Sequence, residues 1–398
     1  MQDVFVIDAV RTPIGKYGGA LSNVRPDDMA ALVIKKLLER NPNLDVSRIE
    51  EVIFGAANQA GEDNRDVARM ALLLAGLPVH IGGVTVNRLC ASGLQAVMDS
   101  TRAIRVGDGE VYLAGGVESM TRAPFVMAKP DSAFPRKQEI YDTTIGWRFT
   151  NNQLSSTHYP YSMGETAENV AEKYHINREA QDQFALRSQE KYDAAHKKNK
   201  FADEMIPVDV TGAKGAITTV DKDEFPRLSS LEQLAKLKPA FKKDGTVTAG
   251  NSSGINDGAS VLLLASESAV KAMNLQPIAR VVASAGVGVE PAFMGIGPVP
   301  AARKALQRAW LKITDIGLVE LSEAFASQSI ACIRDLEIDA ACVNVNGGAI
   351  ALGHPLGCSG ARISTTLLHE MKRTNTRYGL ATMCVGVGQG AAVIYERV

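Results

Sequence analysis

The stretch VTVNRLCASGLQAV, residues 84–97, determines how the rest of the chain is interpreted. Residues 84–86 predict the end of a buried strand, and the run SGLQAVMDSTRAI predicts a helix directly after it. Cys90 lies in the turn between these two elements. Because amides at a helix N-terminus stabilise negative charge, this position favours the nucleophilic thiolate of Cys90. The alternative is a buried structural cysteine, since free cysteines are among the most buried residues.

Predicted strands and helices alternate on either side of this stretch. VFVIDAV (4–10) and EVIFGAAN (51–58) predict strands, and RPDDMAALVIKKLLER predicts a helix with an acidic first turn and a basic last turn. DNRDVARMALLLAG predicts a second helix, capped by Asp63 or Asn64. The alternation indicates an α/β sheet covered on both faces. Such sheets bind ligands beyond the carboxyl ends of their strands, which is where Cys90 lies.

Residues 121–163 interrupt the alternation with four prolines, scattered aromatic residues and no sustained period. They predict an irregular surface segment of the kind that forms a lid. Two polar helices follow, and strands and helices alternate again towards the C-terminus. Ser92-Gly93 precede Leu113-Ala114 by the interval that separates Ser359-Gly360 from Leu380-Ala381, which indicates two related halves.

Composition excludes several classes of protein. The 398 residues are 45% hydrophobic and 22% charged, with a formal net charge of −1, so nothing indicates a nucleic-acid-binding surface. No apolar run is long enough to cross a membrane, and the first residues lack the pattern of a secretory signal. Five cysteines without C-x-x-C spacing fit a reducing compartment and indicate no metal site. We therefore expect a cytoplasmic protein without nucleic-acid or membrane partners.

Two glycine-rich motifs near the C-terminus contain further reactive side chains. GGAIALGHPLGCSG (347–360) surrounds His354, and Pro355 biases this histidine towards a fixed extended conformation. A histidine held in this way before a helix suits a general base, although many histidines only satisfy local hydrogen bonds. Cys384 ends an apolar strand in a glycine-rich turn, and its thiol suits a proton donor or acceptor. The cysteines without such a context are interpreted as structural: Cys332, Cys342 and Cys358.

Together, NRLCASG, GNSSGINDGAS, SEAFASQ, NVNGGAIALGHPLGCSGAR and TMCVGVGQG resemble the thiolases. The resemblance extends from about residue 3 to the C-terminus. It implies a five-layered α-β-α-β-α core built from two related halves, with an inserted loop domain. The implied divisions are 1–120 with 246–272, the loop domain 121–245, and 273–398.

The resemblance also implies a Cys-His-Cys mechanism. Cys90 attacks the 3-keto carbon of a 3-oxoacyl-CoA while His354 takes the thiol proton. Cleavage of the carbon–carbon bond releases the acetyl-CoA enolate, which Cys384 protonates, and coenzyme A then thiolyses the acyl-enzyme. The backbone amides of Cys90 and Gly386 resemble the oxyanion site for the acyl-enzyme thioester, and His354 resembles half of a second oxyanion site.

Coenzyme A is implied as a co-substrate, with no permanently bound cofactor and with a homodimer or homotetramer as the assembly. Ser253 matches a residue that hydrogen-bonds the pantetheine chain, and Arg227 is placed near the CoA phosphates by a looser match. Without the resemblance, Met163 and Met294 are equally well explained as core residues. The implied CoA-contacting positions are Met163, Arg227, Leu237, Phe241, Ala249, Ser253, Met294, Ala324 and Phe325.

Two departures from the family pattern bear on function. Ser162 stands where the biosynthetic acetoacetyl-CoA thiolases have histidine, which favours a degradative enzyme. Ser322 stands where the family usually has the asparagine that orients a water in the second oxyanion site. The alternatives to a degradative thiolase are therefore an acetoacetyl-CoA thiolase or a weakly active CoA-binding protein. A decarboxylating ketoacyl synthase fits less well, because that chemistry resembles a Cys-His-His set.

Within the family, GEDNRDVARMALLLAGLP, DTTIGWRF and PYSMGETAENVAEKY are similar to the 3-oxoadipyl-CoA thiolases of aromatic-compound catabolism. The expected reaction is therefore thiolysis of 3-oxoadipyl-CoA to succinyl-CoA and acetyl-CoA. A dicarboxylic chain requires a cation or several donors at the far end of its pocket. The lid segment offers Arg148 as the preferred candidate, besides Lys129, Arg136 and Lys137.

Overall fold

The computed structural model of the chain describes residues 2–212 and 215–398. The strands are β1 Val4–Arg11, β2 Gly15–Lys16, β3 Ile49–Gly55, β4 Gly82–Val86, β5 Val111–Ser119, β6 Phe125–Met127, β7 Ile140–Asp142, β8 Val208–Thr211, β9 Ile217–Val220, β10 Asn256–Ser266, β11 Ala279–Gly288, β12 Leu318–Leu321, β13 Tyr378–Val385 and β14 Gln389–Arg397. The α-helices are α1 Pro26–Arg40, α2 Val67–Leu74, α3 Ser92–Val106, α4 Asn152–Thr157, α5 Met163–Lys173, α6 Arg178–Lys197, α7 Leu231–Ala235, α8 Glu267–Ala272, α9 Pro298–Ala309, α10 Ala326–Leu336, α11 Ala349–Leu352 and α12 Leu356–Thr374.

Local sequence signals explain where most helices begin. Helix α1 has proline at its first position and acidic residues in its first turn, as the sequence predicts. The predicted cap of α2 is wrong. Asp66, and neither Asp63 nor Asn64, caps α2 by accepting a hydrogen bond from the amide of Arg69. The Asp63 carboxylate is instead engaged by two amides of the loop that precedes the helix.

One hydrogen-bonded sheet joins the two halves of the molecule. Its order is β12-β13-β14-β11-β1-β10-β5-β3-β4, and β2 pairs with β10. The halves meet where β1 pairs with β11, through Phe5–Arg280 and Val6–Ala279. In one half β3 runs parallel to β5, and in the other β12 runs parallel to β13. The internal duplication that the sequence indicates is therefore confirmed by the repeated strand order.

Helices α3 and α12 form the middle layer between the two half-sheets. Their apolar residues, among them Leu94 and Leu367, pack with residues of both half-sheets in a single core cluster. A second cluster joins α1 and α2 to the outer face of the N-terminal half-sheet. A third cluster packs α9 and α10 on the C-terminal half-sheet. These clusters give five layers, α-β-α-β-α, as the resemblance implies.

The alternating side chains of β10 show how one strand serves two layers. Leu262 and Leu264 face the middle layer, whereas Val261 and Leu263 face the outer helices. Because successive side chains of a strand point to opposite faces, a strand covered on both sides is apolar throughout. All eleven residues of β10 are buried. Its continuous apolar run therefore reflects burial on both faces.

Strand β4 differs from the prediction of a buried strand. It lies at the edge of the sheet, and the side chain of Val84 is 37% exposed. Its run of small and β-branched residues is compatible with either an edge or a central position, so sequence alone does not separate them. The turn that carries Cys90 therefore begins at the edge of the N-terminal half-sheet.

The irregular segment after β5 is confirmed as a largely exposed excursion. It contains the short hairpin β6–β7 and the single helix α4 before α5 begins. Ser162 caps α5 and Asn177 caps α6, which are the two polar helices that the sequence predicts. Within the part of the chain that the structure describes, no helix is both long enough and apolar enough to span a bilayer.

Candidate active site

Cys90 is held in a rigid turn between β4 and α3. The Asn87 side chain donates to the carbonyl of Ala57 at 2.9 Å and accepts from the amide of Leu89 at 2.8 Å. Leu89 has a φ of 47°, a left-handed conformation that bulky residues rarely adopt. The Ser92 hydroxyl accepts from the amide of Arg88 and donates to the carbonyl of Leu89. These bonds fix the backbone on both sides of the thiol.

The pKa of Cys90 does not favour the thiolate that the sequence predicts. Burial raises the pKa of the Cys90 thiol to about 11, so the neutral thiol is the form present near pH 7. The amides of Gly386 and of Cys90 itself oppose this rise, because both lie close to the sulfur. The helix N-terminus alone therefore does not generate the nucleophile. The two amides are the pair expected to form an oxyanion site.

His354 is oriented by two side chains that flank it. Its backbone amide donates to Oδ1 of Asn256 at 3.0 Å, and its Nδ1 lies 2.7 Å from the hydroxyl of Ser359. The Ser359 hydroxyl donates its single hydrogen to the carbonyl of Pro355 at 2.8 Å. Nδ1 must therefore be the donor to Ser359, which assigns the neutral tautomer with a free lone pair on Nε2.

The charge state of His354 suits a base. Burial, with a smaller contribution from the charge of Arg362, lowers the pKa of His354 to about 4. The imidazole is therefore neutral near pH 7 and can accept a proton.

The turns that carry Cys90 and His354 converge through glycines and one carboxylate. A Cβ on Gly93 would lie 2.7 Å from the carbonyl oxygen of Gly357, so α3 and α12 begin in close contact. Glu118 accepts from the amides of Gly357 and Ala57 at 2.7 and 2.9 Å, and from that of Asn58. Burial raises the pKa of Glu118 to about 7, although these amides oppose the rise. Glu118 thus joins the His354 turn to the loop after β3, and Asn87 bonds that loop to the Cys90 turn.

Cys384 lies at the end of β13, two residues before Gly386. It is buried, and it packs in one apolar cluster with Met163, Met294 and Phe325. The pKa of the Cys384 thiol is raised well above its usual value, first by burial and then by the neighbouring Cys90 sulfur. Both thiols and the Gly386 amide therefore occupy one site.

Several of the predicted CoA-contacting residues contact one another or share a neighbour. The rings of Phe241 and Phe325 pack edge to face at 6.2 Å, and Phe241 lies over Gly164, next to Met163. The amide of Ser253 donates to the carbonyl of Ala324 at 3.0 Å. Arg227 donates to the carbonyl of Ala249 at 2.7 Å, and Leu237 packs over Gly250. Met294 and Ala324 join this surface to Cys384.

Ser322 is a buried residue at the end of β12. Its amide donates to the carbonyl of Thr382 at 3.0 Å, on the strand that leads to Cys384. Its hydroxyl is buried and has no hydrogen-bond partner among the described residues. A buried hydroxyl without a partner is unfavourable, so this group is suited to a water or a substrate atom.

Several functional residues are not identified by the sequence analysis. Asn256 and Ser359 orient His354, and Glu118 joins its turn to the loop after β3. Ser359 lies in the His354 motif, whereas Asn256 and Glu118 lie in motifs without a Cys or His side chain. Glu323, next to Ser322, is a further buried carboxylate held by hydrogen bonds, because it accepts from the Ser188 hydroxyl at 2.6 Å, from Asn344 at 2.7 Å and from the amide of Ile350. Polar residues in otherwise apolar or glycine-rich motifs are the signal that identifies such residues.

The structure also places the remaining cysteines and the cations of the lid segment. Cys332 and Cys358 are buried, and Cys342 is half-buried. Across residues 2–212 and 215–398, no group of three or more His, Cys, Asp or Glu side chains could hold a metal ion. The exposed cations of the lid segment are Lys129, Arg136 and Lys137, whereas Arg148 is half-buried and donates to Asn58 at 3.2 Å.

Family models and curated relatives match the whole chain. The model described as "Thiolase, N-terminal domain" matches residues 4–268, and "Thiolase, C-terminal domain" matches residues 275–397. The chain is 56% identical to the Escherichia coli "3-oxoadipyl-CoA/3-oxo-5,6-dehydrosuberyl-CoA thiolase", with 100% of both chains covered. It is 57% identical to the Pseudomonas aeruginosa "Beta-ketoadipyl-CoA thiolase", again over 100% of both chains. A P. aeruginosa "Acetyl-CoA acetyltransferase" is 47% identical, also over 100% of both chains.

Solved structures agree with these matches. The Bacillus anthracis acetyl-CoA acetyltransferase superposes with a TM-score of 0.94 at 41% identity, over 100% of this chain and 99% of that one. Human mitochondrial 3-ketoacyl-CoA thiolase gives a TM-score of 0.93 at 42% identity, with the same coverage. The five-layered fold and the full-length matches lead to one conclusion. The chain belongs to the thiolase family and is an acyltransferase enzyme.

Proposed function

We propose that this thiolase cleaves 3-oxoadipyl-CoA with coenzyme A, giving succinyl-CoA and acetyl-CoA through an acyl-enzyme on Cys90. The observation that carries the proposal is the convergence of the catalytic turns: the Gly386 amide and Cys384 lie beside the Cys90 sulfur, and the helix that follows His354 begins in close contact with the helix that follows Cys90. The dicarboxylic substrate is supported by the full-length relatives, two of which are named for 3-oxoadipyl-CoA or beta-ketoadipyl-CoA. The same convergence supports the assignment of the three side chains as the catalytic residues.

The first half-reaction uses all three side chains. The Cys90 thiol transfers its proton to Nε2 of His354 as the sulfur bonds to the 3-keto carbon. The bond between carbons 2 and 3 then breaks, and the resulting acetyl-CoA enolate takes a proton from Cys384. The acyl group stays on Cys90 as a thioester, and its oxygen faces the amides of Cys90 and Gly386. His354 is then protonated and Cys384 is a thiolate.

The second half-reaction restores both groups. The thiol of coenzyme A transfers its proton to Cys384 as its sulfur attacks the acyl carbon. The Cys90 sulfur leaves and recovers its proton from His354. The packing of Met163, Met294 and Phe325 against Cys384 supports binding of coenzyme A beside that thiol, with Ser253 proposed as the hydrogen-bonding residue for the pantetheine chain. No proton is gained or lost over the cycle.

Ser322 is proposed to complete the second oxyanion site together with His354. Its unpartnered buried hydroxyl supports this role, since it can hold a water that bridges to the thioester oxygen of acetyl-CoA. A serine hydroxyl both donates and accepts, as this bridge requires. We therefore favour an active enzyme over a weakly active CoA-binding protein. Acetoacetyl-CoA thiolysis is the second candidate, because one full-length relative is named an acetyl-CoA acetyltransferase.

The proposal is tested by thiolysis and by trapping the acyl-enzyme. Loss of enolate absorbance is followed with 3-oxoadipyl-CoA and with acetoacetyl-CoA, and kcat/KM for the former should be higher by about tenfold or more. Incubation with acetyl-CoA should then acetylate only Cys90, as peptide mass spectrometry reports. Cys384→Ser is the matched control and should still be acetylated at Cys90. A preference for acetoacetyl-CoA, or an acetyl group on Cys358 or Cys384, would contradict the proposal.

Three further proposals follow from the sequence. The domain division is 1–120 with 246–272, 121–245, and 273–398, and it is supported by the repeated strand order on either side of the irregular segment. A homodimer or homotetramer is the proposed assembly, by resemblance to the family. A cytoplasmic location is proposed from the unpaired cysteines, which fit a reducing compartment.

A further inference from the structure

Arg148 carries a half-buried positive charge without an acidic partner. Its Nη2 donates to Oδ1 of Asn58 at 3.2 Å, and no carboxylate of the described residues forms an ion pair with it. Arg122 and Arg178, also partly buried, are neutralised by Glu62 and Asp182. Further partly buried arginines in the described part of the chain lack an acidic partner but make two hydrogen bonds each to neutral oxygens, whereas Arg148 makes one: Arg69, Arg88 and Arg105. Because a desolvated charge is unfavourable without a counter-charge, Arg148 is suited to an anionic ligand.

The backbone around Arg148 is held in an uncommon conformation. Gly146 and Phe149 both have positive φ values, 95° and 51°, and such a value is rare for a bulky aromatic residue. Trp147 anchors the turn by donating from Nε1 to the carbonyl of Tyr161 at 3.0 Å. The ring of Phe149 packs against Tyr141 at 4.9 Å. A strained turn fixed on both sides of one arginine is typical of a functional position.

Asn58 connects this turn to the loops around Cys90. Its amide donates to Glu118 at 3.2 Å, and the preceding carbonyl, of Ala57, accepts from Asn87. Asn87 in turn orients the backbone just before Cys90. On the other side, Trp147 is bonded to the segment that leads into Met163, which packs against Cys384. Arg148 therefore lies where the lid segment meets the catalytic loops.

We propose that Arg148 binds the terminal carboxylate of a dicarboxylic acyl chain, and that Asn58 is the residue that positions it. This inference rests on the proposed function and deepens it. The succinyl group on Cys90 would end in a carboxylate about 4 Å from the thioester carbon. The planar guanidinium can bind that carboxylate with two parallel hydrogen bonds, because only one of its donors is used by Asn58.

The same arrangement accommodates chains of different length. The E. coli relative is named for two substrates, a 3-oxoadipyl and a 3-oxo-5,6-dehydrosuberyl thioester, and both acids end in a carboxylate. Their acyl products differ by two carbons, or about 2.5 Å along the chain. An arginine held by one neutral hydrogen bond can follow that shift, since its long side chain is flexible. A chain that ends in a methyl group gains nothing from this cation.

The test compares two substrates of equal length that differ only at the far end. Purified enzyme is assayed with 3-oxoadipyl-CoA and with 3-oxohexanoyl-CoA, whose chain ends in a methyl group. Arg148→Met should lower kcat/KM for 3-oxoadipyl-CoA by about 10- to 100-fold, because a charge-assisted hydrogen bond is lost and the carboxylate is left unpaired. The value for 3-oxohexanoyl-CoA should change by less than about threefold, which also shows that the lid is folded.

Two further variants sharpen this test. Arg148→Lys keeps the charge without the planar fork, so its loss on 3-oxoadipyl-CoA should be intermediate. Arg136→Met removes an exposed cation from the same segment and should leave both substrates unaffected. Equal losses on both substrates in Arg148→Met would overturn the inference and make Arg148 a structural residue. A wild-type enzyme that does not prefer 3-oxoadipyl-CoA over 3-oxohexanoyl-CoA would overturn the proposed substrate itself.

Discussion

Cys90 and His354 have pKa values displaced in opposite directions by the same cause. Burial disfavours the charged form of each group, so it raises the pKa of the Cys90 thiol to about 11 and lowers that of His354 to about 4. A pre-formed thiolate–imidazolium pair is therefore disfavoured in the free enzyme. Proton transfer must accompany attack on the substrate, when the amides of Cys90 and Gly386 stabilise the developing negative charge.

The Cys90 thiol should therefore show two different pH dependences, one for alkylation and one for acetylation. Alkylation of Cys90 by iodoacetamide requires the thiolate, so its rate should rise about tenfold per pH unit from pH 7 towards pH 10. Acetylation by acetyl-CoA uses His354 as the base and should stay level from about pH 6 to pH 9, since neutral imidazole is lost only as pH falls towards about 4. Quantitative peptide mass spectrometry measures both rates.

The matched control for these measurements is His354→Asn. It should slow acetylation strongly and leave the slope of the alkylation profile unchanged, because alkylation depends on the thiolate alone. A plateau in wild-type alkylation between pH 6 and pH 8 would show that a thiolate is already present, and would contradict the argument from burial.

The contribution of Ser322 to the rate of thiolysis can be measured with two substitutions. Ser322→Ala removes the hydroxyl that we propose to hold the bridging water, and it should lower thiolysis by more than about tenfold. Ser322→Asn restores the side chain that the family usually has, and should leave the rate equal or modestly higher. Steady-state thiolysis at saturating coenzyme A measures both effects. A gain of about 100-fold in Ser322→Asn would instead show that the natural enzyme is impaired at this site.

At the scale of elements, the two duplicated helices meet through small residues. A Cβ on Gly360 would lie 2.1 Å from the amide nitrogen of Leu94, and one on Gly93 would lie 2.7 Å from Gly357. Equivalent glycines of α3 and α12 thus let the backbones approach closely. This approach brings the N-terminal turns of both helices, with Cys90 and His354 beside them, to one point. The duplicated helix starts therefore bring together the turns that carry the two proposed catalytic residues.

Helices α3 and α12 show which parts of the structure the sequence predicts and which it does not. The periodicity of α3 and the interval repeated near α12 predict both helices and the relationship between the halves. The sequence does not predict that these helices cross at glycines, because a crossing depends on packing between segments far apart in the chain. The prediction of a Cys90 thiolate is wrong for a related reason. Burial against the other half of the molecule raises the pKa of the thiol, and the local sequence does not show that burial.

At the scale of the whole molecule, a buried ion cluster joins the segment between α6 and α7 to the core. Arg11 ends β1 and is fully buried, and it pairs with Glu204 at 2.6 Å and Asp223 at 2.7 Å. Thr366 of α12 also donates to Glu204, so three distant parts of the chain meet here. The pKa of Arg11 is raised by both carboxylates, which oppose the effect of burial. The cluster holds this segment against β1 of the sheet and against α12 of the middle layer.

Breaking this cluster should affect stability far more than breaking a surface pair. Arg11→Met leaves two buried carboxylates without their cation and should lower the free energy of unfolding by about 3–5 kcal/mol. Lys197→Met removes an exposed partner of Asp193 and should change it by less than about 1 kcal/mol. Urea unfolding at one fixed protein concentration, followed by circular dichroism, measures both values. Equal effects of the two substitutions would show that the core retains the segment without this cluster, through the apolar contacts of Phe201 and Tyr192 with Leu352.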